Sequence, residues 1–333
     1  MTKIIIDCYG SDRGPSMVAE GVRLAREKRD FDCVLVGPES IMRTGLKDLT
    51  GIEFCDTEEY ITNEEAPVMA IRRRKNTSNV IALNRLNEDG DVLLSAGSTG
   101  ALMAGGYFIT KRVPGMKRLC LAVILPNGNQ GTLLCDVGAS MDTTPQILRQ
   151  FALAASAYAR EVMHIDSPRI GLLNVGTEEE KGDLRSAEAY QLLKNSDLNF
   201  VGNVEARELL IPPCDVVISD GFAGNVAIKT MEGTASVLMH VLKKALKSGP
   251  LTMLGALLVK KALKQALKDY DYHQYGGAPM LGTRKPIYKA HGNSTAQTFA
   301  LAISEALNYA ESGASQRIFD ALASSENHKD GEQ

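Results

Sequence analysis

Residues 215–233 read DVVISDGFAGNVAIKTMEG. Val216-Val217-Ile218 is a β-branched apolar run with the length of a buried strand. It gives way to Ser219-Asp220-Gly221, which are turn residues. Gly224 and Asn225 follow, and from Val226 the pattern predicts a long helix. A strand emptying into a Gly-rich polar turn and then a helix is the local architecture of ligand sites in open α/β sheets. Such sites lie outside the carboxyl ends of the strands. The glycines let backbone N–H groups approach an anion, and a helix N-terminus favours negative charge. Taken alone, the stretch is equally well an ordinary tight βα turn.

Working outward, the same alternation recurs. Ile4-Ile5-Ile6 reads as a first strand, followed by the polar loop Asp7-Cys8-Tyr9-Gly10-Ser11-Asp12-Arg13-Gly14-Pro15 and a helix over 16–28. The loop is not GxGxxG, which argues against a dinucleotide site. Strands are expected at 31–37, 52–56, 91–95, 121–125, 132–137, 169–175 and 199–205, and helices at 40–49, 65–75, 78–87 and from Pro145. Thr77-Ser78 are expected to cap the 78–87 helix. Asn127-Gly128 between two apolar runs is a hairpin signal. The sum is an α/β fold with a mixed, largely parallel sheet flanked by helices. Five strands exit into polar turns, after Ile6, Leu94, Val137, Val175 and Ile218. In a parallel sheet those exits would share one edge, where a small anion would bind.

Composition excludes several classes. The net charge is −3 over 333 residues, which gives a nucleic-acid role no support. Six scattered cysteines without a CxxC pair read as reduced core residues, neither a disulfide framework nor a zinc site. No signal peptide is expected at the N-terminus, and no apolar run reaches the roughly 20 residues that span a bilayer. The turn Ala96-Gly97-Ser98-Thr99-Gly100 offers two hydroxyls between glycines, a plausible phosphate cradle without a Walker lysine. Asp136 and Asp142 fit capping or orienting roles better than metal ligation. Lys181, between acids and Gly182, is either a salt-bridged loop residue or a neutraliser of phosphate or oxyanion charge. The cluster Arg72-Arg73-Arg74-Lys75 is either a solvated helix face or a meeting point for an acidic or phosphorylated partner.

Six segments, SAGSTGALMAGG, LLCDVGASMDTTPQILRQFA, PRIGLLNVGTEEEKG, NFVGNVEARELL, CDVVISDGFAGNVAIKTMEG and YGGAPMLG…KPIYKAHGNS, together resemble the bacterial acyl-carrier-protein:phosphate acyltransferases that begin phospholipid synthesis. The likeness runs over about 91–294, and residues 4–15 resemble the family's opening. The chain departs from the family pattern at Tyr9-Gly10-Ser11-Asp12, usually Met-Gly-Gly-Asp, and at Ser98 and Ser140, commonly Asn. The resemblance implies a fold similar to the isocitrate/isopropylmalate dehydrogenase group, one domain over 1–324, a homodimer, and no cofactor or metal. It implies attack of inorganic phosphate on an acyl-carrier protein thioester. Phosphate is already a competent nucleophile, so the enzyme must place it, desolvate it and stabilise the oxyanion. The implied phosphate- and substrate-binding residues are Ser98, Thr99, Gly100, Asp136, Gly221, Asn293 and Ser294. Lys181 would offset charge, Asp220 and Asn225 would orient groups, and His291 is the candidate acid/base or donor. A rival mechanism makes Cys135 or Cys214 a thioester-forming nucleophile.

Residues 248–285 read as an amphipathic helical excursion. Its Leu254, Leu257 and Leu258 stand beside Lys260, Lys261 and Lys264. That pattern suits an interfacial membrane helix, or a dimer-interface or core-packing helix. With the resemblance, it places the chain in the cytoplasm, peripherally on the anionic inner face of the cell membrane. Residues 325–333 read as a disordered tail. The competing functions are a phosphate acetyltransferase acting on acyl-coenzyme A, or a non-catalytic membrane-associated scaffold of lipid synthesis.

Overall fold

The structure is a computed structural model that describes residues 1–268, Tyr270 and residues 275–330. In chain order the elements are β1 (Lys3–Asp7), α1 (Pro15–Arg26), β2 (Asp32–Gly37), α2 (Glu39–Gly45), β3 (Ile52–Asp56), α3 (Pro67–Arg73), α4 (Ser78–Glu88), β4 (Val92–Ser95) and α5 (Thr99–Gly105). A π-helical turn (Gly106–Thr110) follows, then β5 (Cys120–Leu125), β6 (Thr132–Cys135), α6 (Pro145–Glu161), β7 (Ile170–Asn174), α7 (Leu184–Lys194), β8 (Phe200–Glu205) and β9 (Val216–Ile218). The chain closes with α8 (Gly221–Leu246), α9 (Pro250–Lys268), β10 (Gly277–Leu281), β11 (Ile287–Ala290), α10 (Ala296–Glu311) and α11 (Ala314–Asp330).

Among the described residues eleven strands form one sheet in the order β3-β2-β1-β4-β11-β10-β5-β6-β9-β7-β8. Both faces are covered, so strand residues are buried on alternate sides. Ile4 and Ile6 enter the core beneath α1, α6, α10 and α11, while Ile5 enters the one beneath α4 and α5. Each isoleucine contributes about 1.5–3 kcal/mol by leaving water. On α1, Gly21 lets Phe299 of α10 come close. A Cβ there would lie 2.9 Å from the Phe299 ring.

The expected hairpin is present. β5 pairs antiparallel with β6, and the Asn127 side chain accepts from the N–H groups of Asn129 and Gly131 to shape its turn. The pairings β11–β10, β10–β5 and β5–β6 are all antiparallel. Strands β6, β9, β7 and β8 therefore run opposite to β3, β2, β1, β4 and β11. This corrects the single shared edge. The five exits form two sets, one after β1 and β4, the other after β6, β7 and β9.

Four other expectations change. The turn Gly221–Asn225 is already the first turn of α8. Thr77 precedes α4 without capping it, because its hydroxyl donates to the Arg74 carbonyl. Residues 277–281, counted in the helical excursion, form β10 within the sheet. α11 runs past Ser324 to Asp330, and residues 331–333 lie outside the described residues.

Candidate active site

Hydrogen bonds tie the expected site residues into two groups. The first sits where β1, β4 and β11 end. Asp7 is buried, accepts the Ser95 hydroxyl at 2.8 Å and accepts the Tyr9 N–H. Ser95 Oγ accepts the Gly97 N–H at 3.0 Å. The two loops touch so closely that a Cβ on Gly10 (φ +87°) would fall 2.1 Å from Gly97 Cα, so glycine is required. Lys289 reaches across from β11 and donates to the Ala96 carbonyl at 3.2 Å and to the Ala290 carbonyl. The Asp12 N–H donates to the Gly292 carbonyl at 2.8 Å. These bonds bring Ser98, Thr99 and Gly100 towards His291, Asn293 and Ser294. Ser294 is buried, and its hydroxyl has no hydrogen-bond partner among the described residues.

Charge in this group is poised. Burial pushes the Asp7 carboxyl up, against the pull of Ser78, Ser95, the Tyr9 N–H and Asn79. Burial lowers the Lys289 ammonium to about 8, with Asp7 and Asp12 working the other way.

The second group sits where β6 and β9 end. Asp136 follows β6, is fully buried, and spends both oxygens on backbone N–H groups. Oδ1 accepts from Leu121 at 2.9 Å, Ala139 at 3.1 Å and Gly138 at 3.3 Å, and Oδ2 from Ser140 at 2.6 Å. Burial raises its carboxyl to about 6, with those N–H groups working the other way. The start of α8 lies against this turn. A Cβ on Gly224 would fall 1.9 Å from the Asp136 carbonyl oxygen, and one on Gly221 2.8 Å from Asp136 Oδ2. Asn225 faces Gly138. Asp220 caps α8 by accepting the Ala223 N–H at 2.8 Å, and its other oxygen pairs with Arg185 at 2.7 Å. Sequence reading missed Arg185, because α7 carries it towards β9 from 35 positions away, counting from 185 to 220.

Lys181 stands apart from that pair. Its side chain is 46% exposed and its ammonium lies 4.0 Å from Glu178. Its loop is held from β7 and β8, because Asn174 donates to the Lys181 carbonyl and Asn203 donates to the Glu178 carbonyl. Asp142 is exposed. Cys135 and Cys214 are buried. Burial raises both thiols, Cys214 to about 12, which suppresses the thiolate that a nucleophile needs. Among the described residues no group of three or more His, Cys, Asp or Glu is placed to hold a metal ion.

The arrangement is thus a pair of glycine turns, each anchored by a buried aspartate, with lysine, serine and backbone donors nearby. Comparison with known proteins shows the family. Residues 2–317 match the family described as fatty acid synthesis protein, and the chain belongs to that family. A phosphate acyltransferase of Thermoanaerobacterium thermosaccharolyticum is 44% identical over 93% of each chain. One of Anoxybacillus flavithermus is 42% identical over 96% of this chain and 98% of its own. In architecture the chain is similar to a phosphotransacetylase from Streptococcus pyogenes, with a TM-score of 0.61 and 18% identity over 93% and 94% of the two chains. It is also similar to a 4-hydroxythreonine-4-phosphate dehydrogenase from Klebsiella pneumoniae, with a TM-score of 0.53 and 11% identity over 93% and 99%. These two show the fold alone, a dehydrogenase-like α/β sheet of the expected kind.

Proposed function

We propose that the chain transfers a fatty acyl group from an acyl-carrier protein thioester to inorganic phosphate. A phosphate oxygen attacks the thioester carbon, the C–S bond breaks, and the thiol leaves with a proton, giving acyl phosphate and free carrier. The observation that carries this reading is the 44% identity, over 93% of both chains, to a protein named phosphate acyltransferase. The geometry supports it. The Ser98-Thr99-Gly100 turn and the Gly292-Asn293-Ser294 turn supply donors for phosphate, with His291 beside them as acid/base or donor. The Lys289 ammonium, bonded to the Ala96 carbonyl, is nearer that turn than the exposed Lys181. At the other sheet edge Asp136 and Asp220 hold the start of α8, where Asn225 is the candidate orienting group. Direct attack needs no covalent enzyme intermediate.

The test is an assay of purified protein with long-chain acyl-carrier protein and phosphate, trapping acyl phosphate with hydroxylamine. Phosphate-dependent hydroxamate is expected. Product with acyl-coenzyme A alone would move the donor to coenzyme A, and product with neither would favour a scaffold.

The helices α8 and α9 support a second element of the proposal, contact of a homodimer with an anionic membrane surface. Core packing is removed as a reading of this segment, because its leucines are exposed, with Leu257 at 70% and Leu258 at 79%. Leu254, Lys260 and Lys261 are exposed as well, while the Lys264 side chain lies outside the described residues. No helix among the described residues is long and apolar enough to cross a membrane, so the contact proposed is interfacial.

A further inference from the structure

Acidic residues are missing from three stretches that meet on one side of the molecule. No Asp or Glu stands between Glu65 and Glu88, between Asp91 and Asp136, or in residues 275–304. In the second of these the charged side chains are Lys111, Arg112, Lys117 and Arg118. The π-helical turn after α5 presents Tyr107 and Phe108, which are 38% and 39% exposed. Lys111, at φ +68°, turns the chain at its end. Arg112 lies over the Tyr107 ring at 4.4 Å, and Arg72 of α3 lies over the Phe108 ring at 4.6 Å. Arg284, from the β10–β11 connection, donates to the Lys111 and Arg112 carbonyls. Tyr107, Phe108, Lys111, Arg112, Pro114 and Met116 line a concavity of about 390 Å³.

Among the described residues, Arg72, Lys111, Arg112, Lys117, Arg118 and Arg284 make no ion pair with a carboxylate, whereas Arg74 beside Arg72 is neutralised by Glu65 and Glu59. The cations come from separate elements and cover more surface than one phosphate can. The patch also leads to the second site group. Leu119, next to Arg118, accepts the Ser140 hydroxyl at 2.9 Å, and Leu121 N–H donates to Asp136.

We propose that this cationic, aromatic concavity docks an acidic face of the acyl-carrying protein, from which its thioester arm reaches the site. The proposal rests on the carrier-protein reading above. Unpaired guanidinium groups on aromatic faces suit the role. They are weakly hydrated, they pair with carboxylates in a fixed geometry, and arginine and tyrosine dominate binding energy at interfaces. Complementary charge also speeds encounter in a salt-dependent way.

The test compares the full chain with the double variant Arg72→Glu/Lys117→Glu and with Lys28→Glu, a remote charge reversal on the exposed turn that follows α1. The substrates are palmitoyl-carrier protein, palmitoyl-pantetheine and phosphate, and the free carrier is used for binding. The double variant is expected to raise KM for the palmitoyl carrier at least tenfold and to flatten its dependence on salt. KM for phosphate and turnover of palmitoyl-pantetheine are expected to stay within twofold, and Lys28→Glu to behave as wild type. An unchanged carrier KM and salt dependence would overturn the proposal. A halved mass by light scattering in the double variant would also overturn it, making a second copy of the chain the occupant. Anisotropy of labelled carrier separates this from the acyl-transfer reading. Carrier binding that the double variant loses, in a protein without turnover, upholds the surface and sinks the reaction. No carrier binding by the wild type sinks the surface.

Discussion

The two site groups are built alike and charged differently. Each places a buried aspartate just after a strand and threads a glycine turn around it. Asp7 accepts a serine hydroxyl and one N–H and keeps the Lys289 ammonium near it. Asp136 is saturated by backbone N–H groups, and its neighbour Asp220 is matched by Arg185. A group whose charges are all matched makes a rigid frame, while a group with a lysine at a lowered pKa retains binding and proton-transfer capacity. The first group thus keeps the capacity that the phosphate proposal needs, and the second serves as a frame for the start of α8.

The largest effect comes from breaking the frame. Gly224→Val puts side-chain atoms where the Asp136 carbonyl stands. We expect a loss of about 3 kcal/mol or more, read as a lower urea midpoint or loss of soluble protein. An unchanged midpoint would show that α8 can move off the turn.

Asp136→Asn keeps the shape but turns two acceptors into one acceptor and one donor facing N–H groups. About 2 kcal/mol should be lost. The pH dependence follows from the raised carboxyl. The folded pKa is about 6 against about 3.9 unfolded, so the native state binds this proton more tightly. Its contribution is fully present below about 4 and declines as pH rises through about 6. Urea unfolding of both proteins should therefore show a larger gap at pH 5 than at pH 7, and a gap independent of pH would contradict the assignment.

Lys289→Met tests the other group. We expect at least a tenfold drop in kcat/KM for phosphate, about 1.4 kcal/mol, with the carrier KM little changed. Asp7 and Asp12 act on this ammonium, and His291 stands two positions along the chain. In wild type kcat/KM should fall as pH rises through about 8, and Lys289→Arg should remove that fall. Equal losses for both substrates would dissolve the division between the groups.

The smallest effect on stability is expected from Leu254→Asp/Leu258→Asp, since both side chains are exposed. Stability should stay within about 0.5 kcal/mol, while flotation with anionic vesicles should be lost. Wild-type protein that does not float would end the membrane reading.

Much of this was legible from local pattern. Ile4–Ile6 and Val216–Ile218 announce strands through β-branching, Asn127-Gly128 announces the hairpin, and Thr144-Pro145 announces α6, where Thr144 accepts the Ile147 N–H. Each rests on residues a few positions apart, so backbone sterics and turn chemistry suffice. Other features were invisible for the opposite reason. Ser95 meets Asp7 across 88 positions and Lys289 meets Ala96 across 193, and no short window holds both partners. The same limit explains the misjudged edge. Alternating strands and helices specify each crossover, but three antiparallel pairings in mid-sheet reverse the second half, and one of them, β10–β5, joins strands distant in sequence. Strand, turn and helix identity were settled by neighbours along the chain. Which exits share an edge, which cation faces which turn, and which apolar faces stay bare were settled only when distant segments packed.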